Sequence, residues 1–454
     1  MENEWDIFDQ PSTDEPAATA APPDEITLDE VANTLSLTIK DDHENKLIAF
    51  LCMLSAYTDN SQLNVSFNAP SSSGKTYLAT EIAKLFPAED KIERSGASPT
   101  SFFYSEGVYD KKRKLRVVSL ERKILLFYEQ PNPQLQERLR AVLSHDQREL
   151  FYSNTNKDKK GSNRAEQTVI RGYPATVFCS AGLKLDEQEA TRAILLSPEI
   201  SENKLKQGVY LQAMRGANEI QFDEKLESNP ARIALKKRII AIRDEQVNDI
   251  MINDPSEVLE RFHRTFKKLK PRHMRDMGHL MRLIKVVALL NVWHRRTDDG
   301  AIVASQDDVE QAFKLWSKVI ETQDLNVPPT VMLFYKTYIL PAYAQKAKDP
   351  DSAAAMRENQ IGISGQELSD YHWLTEESPL NEDHLRKQVL PQLINSGMIA
   401  YEQPQSGDRR SKHIFPKYFP DGKNDLFNDN YIGRGGGDIP QEVMDLFFNG
   451  AKDK

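Results

Sequence analysis

Cysteine is nearly missing from this chain of 454 residues: Cys52 and Cys179 are the only two, and they lie far apart in sequence. That scarcity excludes a disulfide framework and any CxxC metal spacing, and it points to a reducing cytoplasm. Long apolar runs are missing as well. No stretch approaches the roughly 18 to 20 residues of a membrane span, and the N-terminus lacks the charged-then-apolar layout of a secretory signal. The expectation is a cytoplasmic protein with no membrane partner. Basic residues are absent from residues 1–30, which carry ten Asp or Glu. The formal net charge of -9 therefore belongs to that segment, and the remainder sets 59 basic against 58 acidic residues, with room for local basic faces. With its Pro and Ala, this segment reads as a disordered acidic tail, either solubilising or docking a partner through the aromatics of "EWDIFD".

The length allows two to four domains. Leu47 to Tyr57 reads as a helix entering the core. In "LNVSFNAPSSSGKTYLATEI", Leu63, Val65 and Phe67 alternate with polar residues as a strand does, and Leu78, Ile82, Leu85 and Phe86 recur at helical spacing. GKT therefore stands between a strand and a helix, where a phosphate-binding loop belongs. Helix N-terminal amides and the helix dipole meet phosphates there, Lys75 reaches the outer phosphate oxygens, and the Thr76 hydroxyl ligates Mg²⁺. Ala69 replaces the usual first glycine. Gly74 keeps the close approach, while Pro70, Ser71, Ser72 and Ser73 keep the bend compact.

"KILLFYEQPNP" supplies a second strand, Ile124 to Tyr128, followed by an acid. Aligned by the end of the apolar run, Glu129 is the metal-side acid and Gln130 stands where a catalytic Glu belongs. A one-residue shift makes Glu129 the catalytic acid and puts Tyr128 at the metal-side position, and Glu129 also suits a plain helix cap before Pro131. In the first two registers one carboxylate is lacking. Glutamine orients a water but takes no proton from it, so slow hydrolysis is expected. After a helical stripe at Leu135, Leu139, Val142 and Leu143, two strand-like arms flank "NKDKKGSNR". Lys157, Lys159, Lys160 and Arg164 thus sit on a hairpin tip, as DNA contacts or as a merely solvated tip. "PATVFCSA" is the next strand, with Ser180 able to hydrogen-bond a γ-phosphate or water, and Arg192 directly precedes another apolar run.

This order of motifs resembles the AAA+ ATPases of the helicase clade that carries a hairpin before the sensor strand, as in MCM-type replicative helicases and related replication ATPases of viruses and integrated elements. The resemblance spans about Leu63 to Ile200 and extends loosely to Phe419. It implies that Ala69 to Thr76 is the Walker A loop binding ATP, Glu129 Walker B, Ser180 the first sensor, and Thr191-Arg192 the source of an arginine finger for a neighbouring subunit. A finger of that kind implies a homo-oligomer, as a ring, with the hairpin lysines gripping DNA inside it. Gln130 and Ser180 depart from the clade's Glu and Asn. The basic-then-apolar helix from Pro271 resembles the lid after such a core, with Arg275 in the place of a second-sensor arginine and Arg282 as the alternative, although either also suits a solvated helix face.

Residues from Ile363 to Phe419 read as a winged helix: "SGQELSDYH" and "NEDHLRKQVLPQLINSG" as helices, then two strands around a polar turn. Arg386 and Lys387 stand near a DNA groove in this reading, and Arg409, Arg410 and Lys412 near phosphates. A protein-docking role is the alternative. The final stretch, "GRGGGDIPQEVMDLFFNGAKDK", tethers Gln441, Met444, Phe447 and Phe448, which resemble the peptide that binds the sliding clamp PCNA and suggest an archaeal or archaeal-virus setting. A C-terminal turn packing on its own domain is the plainer reading.

The sequence thus predicts an α/β fold, an AAA+ P-loop core with a helical lid followed by a winged-helix domain. The expected divisions are an acidic tail at 1–30, an ATPase core at 31–200, a helical lid at 201–325, a winged helix at 326–420 and a flexible tail at 421–454. The expected function is a DNA-dependent ATPase acting in replication as a helicase-like motor, with ATP and Mg²⁺ as cofactors. The alternative is an ATP-switched initiator, loader or regulator with little hydrolysis.

Overall fold

Thr27 and Glu30 cap each other. The Glu30 N–H donates to Thr27 Oγ1 at 3.2 Å and the Thr27 N–H to Glu30 Oε2 at 2.8 Å, which starts helix α1 (Leu28–Leu35). The structure, a computed structural model, describes residues 23–419 except 71, 96–97, 99–101, 103–105, 157–163, 181–191, 200, 267–268, 298, 326 and 408. Just ahead of α1, the Asn291 amide binds both backbone groups of Ile26 at 2.9 and 2.8 Å, and Arg295 pairs with Glu25 at 2.6 Å. Residues 23–30 are therefore not part of a disordered tail, as their composition suggested. Their acids serve as a cap and as ion-pair partners. Helix α2 (His43–Leu54) follows, buried along nearly its whole length.

The chain then forms β1 (Asn64–Asn68), α3 (Lys75–Ala83), β2 (Lys91–Arg94), β3 (Val108–Asp110), β4 (Leu115–Ser119) and β5 (Ile124–Phe127). Next come α4 (Pro133–Leu143), β6 (Glu149–Asn156), β7 (Arg164–Arg171), β8 (Ala175–Ser180) and β9 (Ile194–Leu196). Five of these strands make a wholly parallel sheet in the order β2-β5-β8-β1-β9. Both neighbours of β1 arrive late in the chain, so the direction of winding changes at β1. Ligands of open α/β sheets bind beyond the carboxyl ends of the strands at such a point. The two faces of the sheet are both covered, as apolar runs in parallel strands require. Val65, Phe67, Val177 and Cys179 join α2 and α3 in one core, while Leu125 and Phe127 pack with Leu135, Leu139 and Val142 of α4 in another.

A second sheet, in the order β3-β4-β7-β6, contains the expected hairpin: β6 and β7 pair from Glu149↔Arg171 to Asn156↔Arg164. Its tip residues Lys157, Lys159 and Lys160 lie outside the described residues.

Helices α5 (Glu202–Ala217), α6 (Glu219–Glu227), α7 (Pro230–Asp244), α8 (Pro255–Thr265), α9 (His273–Leu290) and α10 (Gln306–Leu325) follow. Leu235 and Ile239 of α7, Leu283 and Val287 of α9, and Trp316 of α10 share one buried core with α1, α2 and the parallel sheet. A separate core starts at Val327 and runs to Ile414. It is built on a small antiparallel sheet of β10 (Ile363–Ser364), β12 (His413–Pro416) and β11 (Ile399–Glu402). Against that sheet lie helix Gly365–Glu376, which begins with a Ser364–Glu367 capping box, and a helical run from Glu382 to Asn395 with a π turn at Leu385–Val389. Among the described residues no helix is long and apolar enough to cross a membrane.

Candidate functional site

Asn68 to Pro70 and Ser72 to Thr76 gather at the carboxyl edge of the parallel sheet. Beyond β1 the Ala69 N–H reaches the Ser180 carbonyl at 3.5 Å, and the loop turns through Ser72 and Gly74 with φ of 65° and 88°. A β-carbon at Gly74 would meet nothing within 4 Å, so glycine is favoured there by backbone conformation rather than by space. α3 then begins at Lys75 with no side-chain cap, which leaves its first amides facing the loop. The Lys75 ammonium, 7% exposed, donates to Ala69 O at 2.7 Å, Pro70 O at 2.5 Å and Ser73 Oγ at 3.4 Å. Burial pulls its pKa down, and the neighbouring Cys179 opposes that shift. Burial pushes the Cys179 thiol up to about 12, so this sulfur is a neutral neighbour, and it hydrogen-bonds the Thr76 side chain. Thr76 itself is exposed beside the loop. Ser71 lies outside the described residues.

β5 brings its own end to the same edge. Glu129 and Gln130 are exposed there, and the Ser180 hydroxyl, 3% exposed, donates to Gln130 Oε1 at 3.2 Å. Tyr128 is turned the other way. Burial, followed by the charge of Glu93, pushes its hydroxyl up to about 12, and it contacts Thr80 of α3 and Glu93. Among residues 124–130, Glu129 is the sole carboxylate. Hydroxyl and carboxylate oxygens such as those of Thr76 and Glu129 suit Mg²⁺, which keeps several waters and takes the rest of its ligands from phosphate. Among the described residues no group of three or more His, Cys, Asp or Glu is placed to hold a metal on its own.

Next to the loop lies a groove of about 420 Å³. Its walls are Thr38, Ile39 and Asp42 before α2, Gly74, Tyr77 and Leu78 of the loop and α3, and Leu205, Gly208 and Val209 of α5. Such a size and largely apolar lining match a small-molecule pocket. α5 buries none of its residues and is held at both ends by ion pairs. Lys204 meets Asp42, a 1% exposed carboxylate that also accepts the Glu199 N–H at 2.7 Å. Arg215 meets Glu81 of α3, 2% exposed, at 3.2 Å. Sequence reasoning missed this wall. Its signals were the Ser201 cap and the apolar Leu205 and Val209, but their pairing with Asp42 spans about 160 residues.

Of the remaining site residues, Arg192 shares a pocket with Gln130 and Ser180, and the others are dispersed. Arg192 lies at the amino edge of the sheet, two residues before Ile194, which pairs with Val65. Its Nε donates to Ser144 Oγ at 2.6 Å and its carbonyl accepts from Asn64 Nδ2 at 3.4 Å. β1 alone separates the two edges by about 13 Å, yet Arg192 lines one pocket together with Gln130 and Ser180 of the carboxyl edge. Thr191 lies outside the described residues. Arg275 is exposed at the start of α9. Arg282 is near Tyr173 and His145 at the hairpin base, where burial lowers its pKa. In the C-terminal unit Arg386 pairs with Glu382 at 3.0 Å and Lys387 with Asp383 at 2.9 Å. Arg409 donates to the Gln405 carbonyl, Lys412 sits 5.6 Å over the Tyr401 ring, and Arg410 is exposed. Gln441, Met444, Phe447 and Phe448 lie outside the described residues.

No model of a known protein family matches this chain, and no curated protein matches it.

Proposed function

We propose that the chain is a DNA-dependent ATPase of the AAA+ type, working in replication as an oligomeric, MCM-like helicase or helicase-like motor. The observation that carries this reading is the convergence of the Lys75 loop and the Ser180–Gln130 pair at one sheet edge, where the winding changes direction. A hairpin is inserted in the chain between the two strands that carry that pair. ATP would lay its phosphates along the first amides of α3 and Lys75, with its base in the groove under α5. Thr76 and Glu129 would hold Mg²⁺, which neutralises phosphate charge when bound. Gln130 orients the attacking water without accepting its proton, and Arg192 serves a neighbour's phosphates. The winged-helix reading of residues 326–420 draws on the capped helix, the second helix and the basic turn at Arg409, Arg410 and Lys412. The clamp peptide remains a proposal from sequence, tested by whether Phe447→Ala with Phe448→Ala abolishes capture by a sliding clamp.

A second reading, an ATP-switched initiator or loader, is favoured by Gln130 itself. Steady-state ATP hydrolysis with and without single-stranded and forked DNA separates the two. DNA-stimulated turnover that Lys75→Ala abolishes supports the motor. Tight ATP binding with negligible turnover, restored by Gln130→Glu, supports the switch and overturns the motor.

A further inference from the structure

The four-stranded sheet carries a charged turn that the nucleotide site does not use. Between β3 and β4 the chain reads Lys111, Lys112, Arg113, Lys114, and all four residues are exposed. Asp110 shapes the turn, its Oδ1 accepting the Lys112 and Arg113 N–H groups at 2.8 and 3.1 Å. Among the described residues only Arg113 has an acid nearby, Asp110 at 3.9 Å. The ammonium groups of Lys111, Lys112 and Lys114 make no ion pair among the described residues. β4 runs parallel to β7, Leu115 beside Gln167, so this turn and the far end of the β6–β7 hairpin, at Asn156 and Arg164, point the same way.

One cross-strand row of the same sheet joins Val108, Val117, Val169 and Phe151 through the registers of all four strands. Residues in such register share a face, whose middle member Val169 is buried at 3% exposed while the two ends are open: Val108 is 75% exposed and Phe151 66%. The basic turn lies at the β3–β4 side of the sheet and Phe151 on β6, its opposite edge strand, and cations and an exposed aromatic set across one surface in this way are what hold single-stranded nucleic acid. The cations track the phosphates, and the ring offers a stacking surface to any base.

We infer that the outer face of this sheet binds a single nucleic-acid strand, with Lys111 to Lys114 on its phosphates and Phe151 stacked on a base. The inference rests on the reading that the chain works on nucleic acid. It adds a contact surface separate from the hairpin tip and from the C-terminal unit.

The test is fluorescence anisotropy of a labelled oligothymidylate with the full-length protein over a series of salt concentrations. One variant combines Lys111→Ser, Lys112→Ser, Arg113→Ser and Lys114→Asn, asparagine being chosen because Lys114 has φ 54°. The other is Phe151→Ala, and ATP binding and thermal unfolding of both verify the fold. The basic-turn variant is expected to bind at least tenfold more weakly, with a log–log salt slope reduced by about 2 to 3, since each phosphate contact on a single strand contributes about 0.7. Phe151→Ala is expected to lose roughly five- to hundredfold with the slope unchanged. Wild-type affinity in both variants overturns the inference and leaves the DNA reading standing. So does a loss confined to the basic turn, which reduces the face to unspecific adhesion of polyanions. A wild-type protein that binds no nucleic acid overturns both.

Discussion

The Ser180 hydroxyl donates to Gln130 Oε1 across 3.2 Å and so ties the carboxyl ends of β8 and β5 together through side chains. With one lone pair of its oxygen engaged, the amide still offers its NH₂ and the second lone pair to whatever lies beyond the sheet edge, but no carboxylate to take a proton. Gln130→Glu adds a proton acceptor at that point. General-base assistance contributes roughly 10² to 10⁴ in rate, so kcat for ATP hydrolysis should rise at least tenfold while ATP affinity changes little. An unchanged kcat would mean that water is activated elsewhere.

Lys75 is satisfied by three oxygens of its own loop, and its removal should cost nucleotide rather than fold. Lys75→Ala is expected to weaken ATP binding at least tenfold in titration calorimetry, on the order of 1.5 to 3 kcal/mol for a charge-assisted contact. Because burial already disfavours the charged lysine, the variant should unfold thermally at or above the wild-type temperature.

Arg215 and Glu81 fasten the far end of α5 to the helix that starts at Lys75. Arg215→Met removes that latch but leaves Glu81 its contact with Lys84 at 2.7 Å. The expected loss of stability is therefore about 1 to 3 kcal/mol, short of the roughly 3 to 5 kcal/mol of a stranded buried charge. Nucleotide dissociation should accelerate as the groove wall loosens, which stopped-flow release of a fluorescent ATP analogue measures. Adding Glu81→Gln should recover part of the stability without restoring slow release.

His145 is held neutral at the hairpin base, its ring 4.5 Å from Tyr173 and its Nε2 3.4 Å from Gln62 Oε1. Burial first, then the charges of Arg282 and His279, lower its pKa from 6.5 to about 3. A depressed histidine gives stability that is complete above pH 6.5. That stability is lost as the pH falls towards 3, because the unfolded chain takes up a proton the folded chain refuses. The loss should approach about 3 to 5 kcal/mol, and His145→Gln should flatten that part of a urea-stability profile measured from pH 7 to 4.

How much of this was legible in the sequence depended on how locally each feature is determined. β1 could be read from its alternation, β5 and β8 because strands buried on both faces must be apolar runs, and the turn at Gly74 because the loop needs its conformation. α1 was misread although "TLDE" spells its capping box, since the same Glu30 counts equally as tail acidity or as a cap. Asp42 and Lys204 gave no signal, because a carboxylate becomes a buried latch only when distant segments meet. The strands β3 and β4 are three and five residues long, too short for a period to show, which hid both the second sheet and the basic turn between them.

Arg192 and the Lys75 loop lie at opposite edges of one sheet, and this separation has a symmetry consequence. A twofold pair completes two sites only when its single interface sets each protomer's amino edge against the other's carboxyl edge, whereas a head-to-tail repeat completes one site at every junction of a ring or filament. On the proposed reading, catalysis is then a property of adjacency. It should climb with more than the first power of protein concentration and vanish on dilution while each chain stays folded and loaded.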